Sequence, residues 1–142
     1  MNISRTLGGL FLLAVAFLAV VSLSAAVRTR DQVTSEPEAK VIQLDPAADV
    51  YVRVLGGPPE TVTMRSGQVV LTPGESIGKH NTEAYEELLV VFEGEGEMQI
   101  TGGPTLPLKA GSVAYCPPRT EHDVLNTGAG RMRYLYVVAI AE

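Results

Sequence analysis

The chain has 142 residues, a length that bounds it to one domain plus any targeting segment. Its 11 Lys and Arg against 16 Asp and Glu give a net charge of −5, with no basic cluster and no aromatic–basic interleaving, which excludes nucleic-acid binding from the expected functions. The single cysteine, Cys116, excludes an internal disulfide, so the fold must be held by its core alone.

From the N-terminus, Arg5 precedes an uncharged apolar run over residues 7–27. Such a run is a targeting segment and takes no part in the fold. Two readings of residues 1–26 stay open. Ser24 and Ala26 form a small-x-small pattern, so cleavage after Ala26 as a signal peptide is the favoured reading. Alternatively the run is retained as a membrane anchor, since about 20 apolar residues span a bilayer. Either way the domain is expected outside the cytoplasm, secreted or periplasmic, or anchored to the membrane only through this segment. Residues 27–40 are mostly polar, carry one proline and show no apolar period, and read as a linker.

The domain is expected over residues 41–142, about a hundred residues, enough for one modest core. Helical periodicity is nearly absent. Strands are predicted at 49–55, 68–72, 87–93, 97–101, 105–108, 112–115, 122–126 and 131–140. Gly and Pro punctuate them: Gly56-Gly57-Pro58-Pro59, Pro73-Gly74, Gly94-Glu95-Gly96, Gly102-Gly103-Pro104 and Thr127-Gly128-Ala129-Gly130. Many short strands with such turns point to an all-β sandwich or barrel. The strand at 87–93 is apolar on both faces in its middle, Leu89 and Val91 on one side and Leu88, Val90 and Phe92 on the other. One side can fill a barrel; the other needs cover, which predicts a second layer or a homodimer.

The chain has two histidines, and each sits in a patterned segment. Gly74, five residues, His80, one residue, Thr82, four residues, Glu87, six residues and Gly94 form the first segment. Gly111, Pro117, Arg119, His122 and Asn126 form the second, after sixteen intervening residues. Alternation puts His80 and Thr82 on one strand face; Glu87 opens the next strand and His122 a late one. Polar side chains converging inside a small barrel need a reason, because an unpaired buried polar group costs about 1–3 kcal/mol. A divalent metal supplies one: two imidazoles and a carboxylate suit a first-row ion and leave coordination positions open. The alternative is a decayed site in which the three groups hydrogen-bond to one another.

These segments resemble the two motifs of the cupin family, in order and correctly spaced, over roughly residues 67–140. The resemblance implies a double-stranded β-helix, or jelly-roll, barrel of the small single-domain, cupin type-2 kind. It also implies metal binding through histidines and a glutamate, here His80, Glu87 and His122, with the ion (Fe, Mn, Ni or Zn) unassigned. Two positions depart from the motifs. Thr82 stands where a second histidine is usual, and Arg119 where a glycine is usual and where it is expected only to reshape the turn. Thr82 is expected to position water, and Glu83 is a weaker substitute ligand. Asn126 is expected to tie down backbone. Cys116 reads as a small buried hydrophobe, and Tyr85, Tyr115, Tyr134 and Tyr136 as core or rim aromatics. The function expected is a small metal-dependent enzyme of oxygenase or isomerase type acting on a small polar metabolite, or a non-catalytic module that binds a small molecule or metal.

Overall fold

The computed structural model describes residues 36–141. The expectations for residues 1–26, and for most of the linker 27–40, lie outside the described residues. Among those described there is no helix, and so none long and apolar enough to cross a membrane.

The described residues form nine strands in chain order: β1 Val52–Gly56, β2 Arg65–Leu71, β3 His80–Asn81, β4 Tyr85–Glu93, β5 Glu95–Ile100, β6 Thr105–Lys109, β7 Val113–Cys116, β8 Glu121–Leu125 and β9 Met132–Ile140. They build two antiparallel sheets, one ordered β1-β2-β9-β4-β7 and the other β3-β8-β5-β6. Period-two alternation sets which side chains lie between them. Val69, Leu71, Leu89, Val91, Met132 and Tyr134 of the larger sheet meet Met98, Leu108 and Val124 of the smaller, and all are buried.

Eight of the strands lie where the turn residues and alternation predict them. The ninth, β3, is only two residues long and has no apolar signal; its pairing with β8 creates it. The predicted turn over Gly94-Glu95-Gly96 tightens to Gly94 alone, with Glu95 already in β5. Gly94 has φ 79°, and a Cβ there would stand 2.7 Å from Met132 Cα, so glycine is required on both counts.

The segment before β1 runs along the barrel without forming a strand. Gln68 Nε2 donates to the Asp45 carbonyl (3.2 Å), Arg131 Nη2 to Pro46 (3.1 Å), and Lys40 pairs with Glu60. On the outer face of the larger sheet, Leu88, Phe92, Val113 and Tyr115 are exposed. Among the described residues the smaller sheet covers only the inner face, and no second layer lies over the other apolar face of β4.

Candidate metal centre

Each group of the centre comes from a different strand. His80 opens β3 and is the register partner of His122 in β8, so the two rings lie side by side with centroids 4.3 Å apart. Glu87 is the third residue of β4, paired with Val138 of β9 and Cys116 of β7, on the inward face it shares with Leu89 and Val91. One donor atom from each of His80, Glu87 and His122 lies within 4.8 Å of the others. The three residues that the motif spacing singles out are thus brought together. Glu83 is not part of the cluster; it sits in an exposed turn at φ 51°.

His122 is fully buried, Glu87 nearly so, and the His80 side chain about two-fifths exposed at the rim. His122 Nε2 approaches Glu87 Oε2 to 3.1 Å, within ion-pair reach, but misses hydrogen-bond geometry and is left without a hydrogen-bond partner. His80 Nε2 is 3.9 Å from the same oxygen. A fully buried imidazole nitrogen without a hydrogen bond, aimed beside a carboxylate and a second imidazole, is what a metal would satisfy. The donor set therefore fits a divalent ion.

The far nitrogens fix how the rings point. His80 Nδ1 is 3.0 Å from the Gly78 carbonyl. His122 Nδ1 is 3.4 Å from both the Thr120 carbonyl and Cys116 Sγ. A proton on Nδ1 in each ring would leave Nε2 as a lone pair facing the centre. Contact with Glu87 raises the pKa of His80 against the opposing effect of burial. Burial pushes the Glu87 carboxyl up, but contacts to His122 and His80 outweigh it and hold the group below the usual carboxylate range.

Thr82 is buried beside the centre, but its hydroxyl is occupied. It donates to the Pro117 carbonyl (2.8 Å) and accepts from Thr120 N–H (2.9 Å). These two bonds pin the loop of the second segment to that of the first, and Thr82 also lines the cavity beside the centre. Asn126, fully buried, ties down backbone as expected: its Nδ2 donates to Leu71 and Gly130 carbonyls and its Oδ1 accepts from Gly128 N–H. Arg119 stands in the turn that precedes β8. It adopts φ 57°, the left-handed region a glycine would favour, and its N–H donates to the Glu83 carbonyl.

A cavity of about 340 Å³ opens onto the cluster, lined by Tyr51, Ile77, His80, Asn81, Thr82, Tyr85, Glu87, Tyr136 and Val138. Sequence reasoning missed part of this. Alternation from Tyr134 places Tyr136 inward, but nothing marked Tyr51, which reaches the cavity from outside any strand. Cys116 is the buried small residue expected, yet its sulfur also abuts the imidazole of His122; only the β4–β7 register reveals that contact.

The cupin domain model matches residues 60–138. The chain belongs to the cupin family. Its similarity to an oxalate-binding protein of Thermotoga maritima is 33% identity over 70 residues, 49% of this cupin and 57% of that protein, so the match spans little more than half of the relative. A cupin 2 conserved barrel domain protein from Salinispora arenicola superposes with a TM-score of 0.59 at 24% identity, covering 73% of this chain and 91% of the other. A predicted oxalate decarboxylase from Thermotoga maritima superposes with a TM-score of 0.53 at 21% identity, covering 70% and 100%. At these identities the superpositions establish the shared barrel.

Proposed function

We propose that His80, Glu87 and His122 hold a divalent first-row metal, and that the cavity beside them captures a small carboxylate-bearing ligand. The observation that carries this reading is His122 Nε2, fully buried and without a hydrogen bond beside Glu87. When bound, the metal would supply a Lewis-acidic centre with positions left open for ligand oxygens. The chain's own contribution is orientation and selection. Gly78, Thr120 and Cys116 set the imidazoles, Thr82 locks the two motif loops together, and aromatic and aliphatic side chains line the cavity. Among the described residues no Lys or Arg lines the cavity, and Glu87 makes it negative, so an anionic ligand depends on the metal's charge. The relative named for oxalate binding supports a short carboxylate.

A thermal-shift matrix tests this, with Mn²⁺, Fe²⁺, Ni²⁺ or Zn²⁺, each with and without oxalate, on protein lacking a His tag. A partner that binds only the folded state raises its apparent stability. Metal alone should raise Tm, oxalate alone should not, and the two together should exceed metal alone. Stabilisation by oxalate in metal-free protein, or substoichiometric metal after reloading, would overturn the reading.

The three-donor set also favours a second reading, a small oxygenase- or isomerase-type enzyme, because it leaves more than one metal position open. The lining offers little acid–base chemistry beyond the ligands. Burial, then the Tyr51 contact, pushes the Tyr136 phenol up, which keeps it a proton donor. Capture is therefore preferred to turnover, and assaying product in the same samples separates them. In this reading the domain works outside the cytoplasm, supported by the apolar run at 7–27; fractionation of cells making the full chain, with protease accessibility, tests it. The exposed Leu88, Phe92, Val113 and Tyr115 support a homodimer, and a strict monomer in concentrated sedimentation runs would remove that part.

A further inference from the structure

One inward row of the larger sheet runs Gly67 of β2, Tyr136 of β9 and Leu89 of β4. Because residue 67 has no side chain, a slot opens beside Tyr136, and the ring of Tyr51 lies in it. A Cβ on Gly67 would stand 2.7 Å from Tyr51 Cε2 and 2.7 Å from Tyr136 Cε1. The two phenol oxygens meet at 3.1 Å. Both rings line the cavity that also contains His80 and Glu87.

The pair is set back from the metal cluster. The next inward residue of β9, Val138, is the register partner of Glu87, so Tyr136 sits two residues along the strand, about 6.6 Å, from the row that carries the carboxylate. Ile77, Tyr85 and Val138 form largely apolar wall in the same cavity. Of the two phenol protons, one is used between the rings and one remains to be donated outward. Arg65, the other register partner of Val138, lies with its guanidinium 5.3 Å over the Tyr85 ring, adding positive charge near the cavity. A cavity of this size sits at the lower end of the roughly 300–1,000 Å³ typical of small-molecule sites.

We infer that the Tyr51–Tyr136 hydroxyl pair is a second anchoring point for the ligand, so that the site selects a chelating acid carrying a carboxylate at its far end over a ligand as short as oxalate. The inference rests on the metal-centre reading above. The metal end holds the chelating oxygens and the phenol pair reads the far end. Tyr51 then sets specificity from outside the barrel strands.

The test is calorimetric titration of Ni²⁺-loaded full-length protein with three probes. 2-Hydroxyglutarate and 2-hydroxyvalerate share a chelating end and a chain length and differ only in the far carboxylate; oxalate has no far end. Wild type should prefer 2-hydroxyglutarate over 2-hydroxyvalerate by about tenfold or more, the scale of a hydrogen bond to a charged acceptor. Tyr51→Phe and Tyr136→Phe should each cut that preference to less than about threefold while oxalate affinity moves by less than about twofold. The chain has five tyrosines and no tryptophan, so a near-ultraviolet tyrosine difference spectrum should appear with 2-hydroxyglutarate and not with oxalate. Should Tyr136→Phe fail to fold, Tyr51→Phe, at a half-exposed position, carries the test alone. Metal and oxalate binding with an unchanged preference in the variants would overturn the anchoring pair and leave the metal centre standing. Failure of wild type to retain Ni²⁺ would overturn both.

Discussion

The two imidazoles of the centre are held in contrasting ways. His122 stands on a strand within the core, fully buried, its Nδ1 against Cys116 and Thr120. His80 stands at the rim on a two-residue strand, two-fifths exposed, at the end of a loop that the Asp123 carboxylate clamps through Ser76 Oγ and Gly78 N–H. One half of the site is therefore part of what holds the barrel together, and the other is attached to its surface. Ligand geometry and fold stability can therefore be separated in this protein, because only one histidine serves both.

Removing each ring in turn separates the two roles. His122→Ala should destabilise the metal-free protein by about 2–3 kcal/mol, in the range of large-to-small core substitutions. His80→Ala should change it by no more than about 0.5 kcal/mol, as exposed positions do. Both should lose more than the roughly 10–100-fold in metal affinity that outer-shell partners contribute. Urea denaturation with and without Ni²⁺ measures the two quantities together. Equal destabilisation by the two variants would show that burial does not divide the site in this way.

Thr82 joins the two halves, so its removal comes next in size. Thr82→Ala leaves the Thr120 N–H and the Pro117 carbonyl without their partner, a cost of about 1–3 kcal/mol. Metal affinity should fall by about tenfold, because Thr120 also supports His122. Thr82→Ser keeps the hydroxyl and should recover most of both in the same denaturation and metal-competition measurements. If serine fails to rescue, the hydroxyl is not what links the loops.

Much of this centre is legible in the sequence, and the reason is register. Alternation places Glu87 inward with Leu89 and Val91, and the spacing of the two segments, through its resemblance to the cupin motifs, groups Glu87 with His80 and His122, although β3 carries no strand signal of its own. What stays hidden depends on approach between loops. The bonds from Thr82 to Pro117 and Thr120 join residues 35 and 38 positions apart, and no local pattern encodes them. The sulfur of Cys116, in β7 of the larger sheet, meets His122, in β8 of the smaller, a contact between the sheets. Tyr51 enters the cavity because residue 67, in β2, lacks a side chain. Arg119 likewise takes a left-handed backbone that its residue type does not announce, with its N–H donating to the Glu83 carbonyl.

The surface half can be loosened without touching a ligand. Asp123 accepts from Ser76 Oγ and Gly78 N–H, and Gly78 in turn offers its carbonyl to His80 Nδ1. Asp123→Asn weakens these charge-assisted bonds and should cost about 0.5–1.5 kcal/mol. Its effect on metal affinity should stay below about tenfold and should vanish in a His80→Ala background, where there is no ring left to orient. Additive losses in that double-variant cycle would mean that Asp123 acts on the fold and not through His80.

The smallest expected effect is the pH response, which distinguishes metal-free from metal-loaded protein by its sign. His80 has its pKa raised by Glu87 above an ordinary value of 6.5, so its contribution to the metal-free fold is complete below that value and is lost as pH rises through the folded-state value. Glu87 has its pKa lowered below 4.5, so its contribution is present above that value and is lost as pH falls through the folded-state value. Metal-free protein should therefore be most stable between about pH 5 and 6.5. A metal requires both imidazoles neutral, so protons compete with it and its stabilisation should grow as pH rises past the His80 value. Above pH 6.5 the two forms should diverge, the metal-free Tm drifting down while the shift produced by Ni²⁺ increases. The drift in the metal-free form will be slight, because His80 is partly exposed and water screens its pairing. A metal-induced shift that is constant across this range would mean that His80 is not a ligand, leaving Glu87 and His122 to account for any binding.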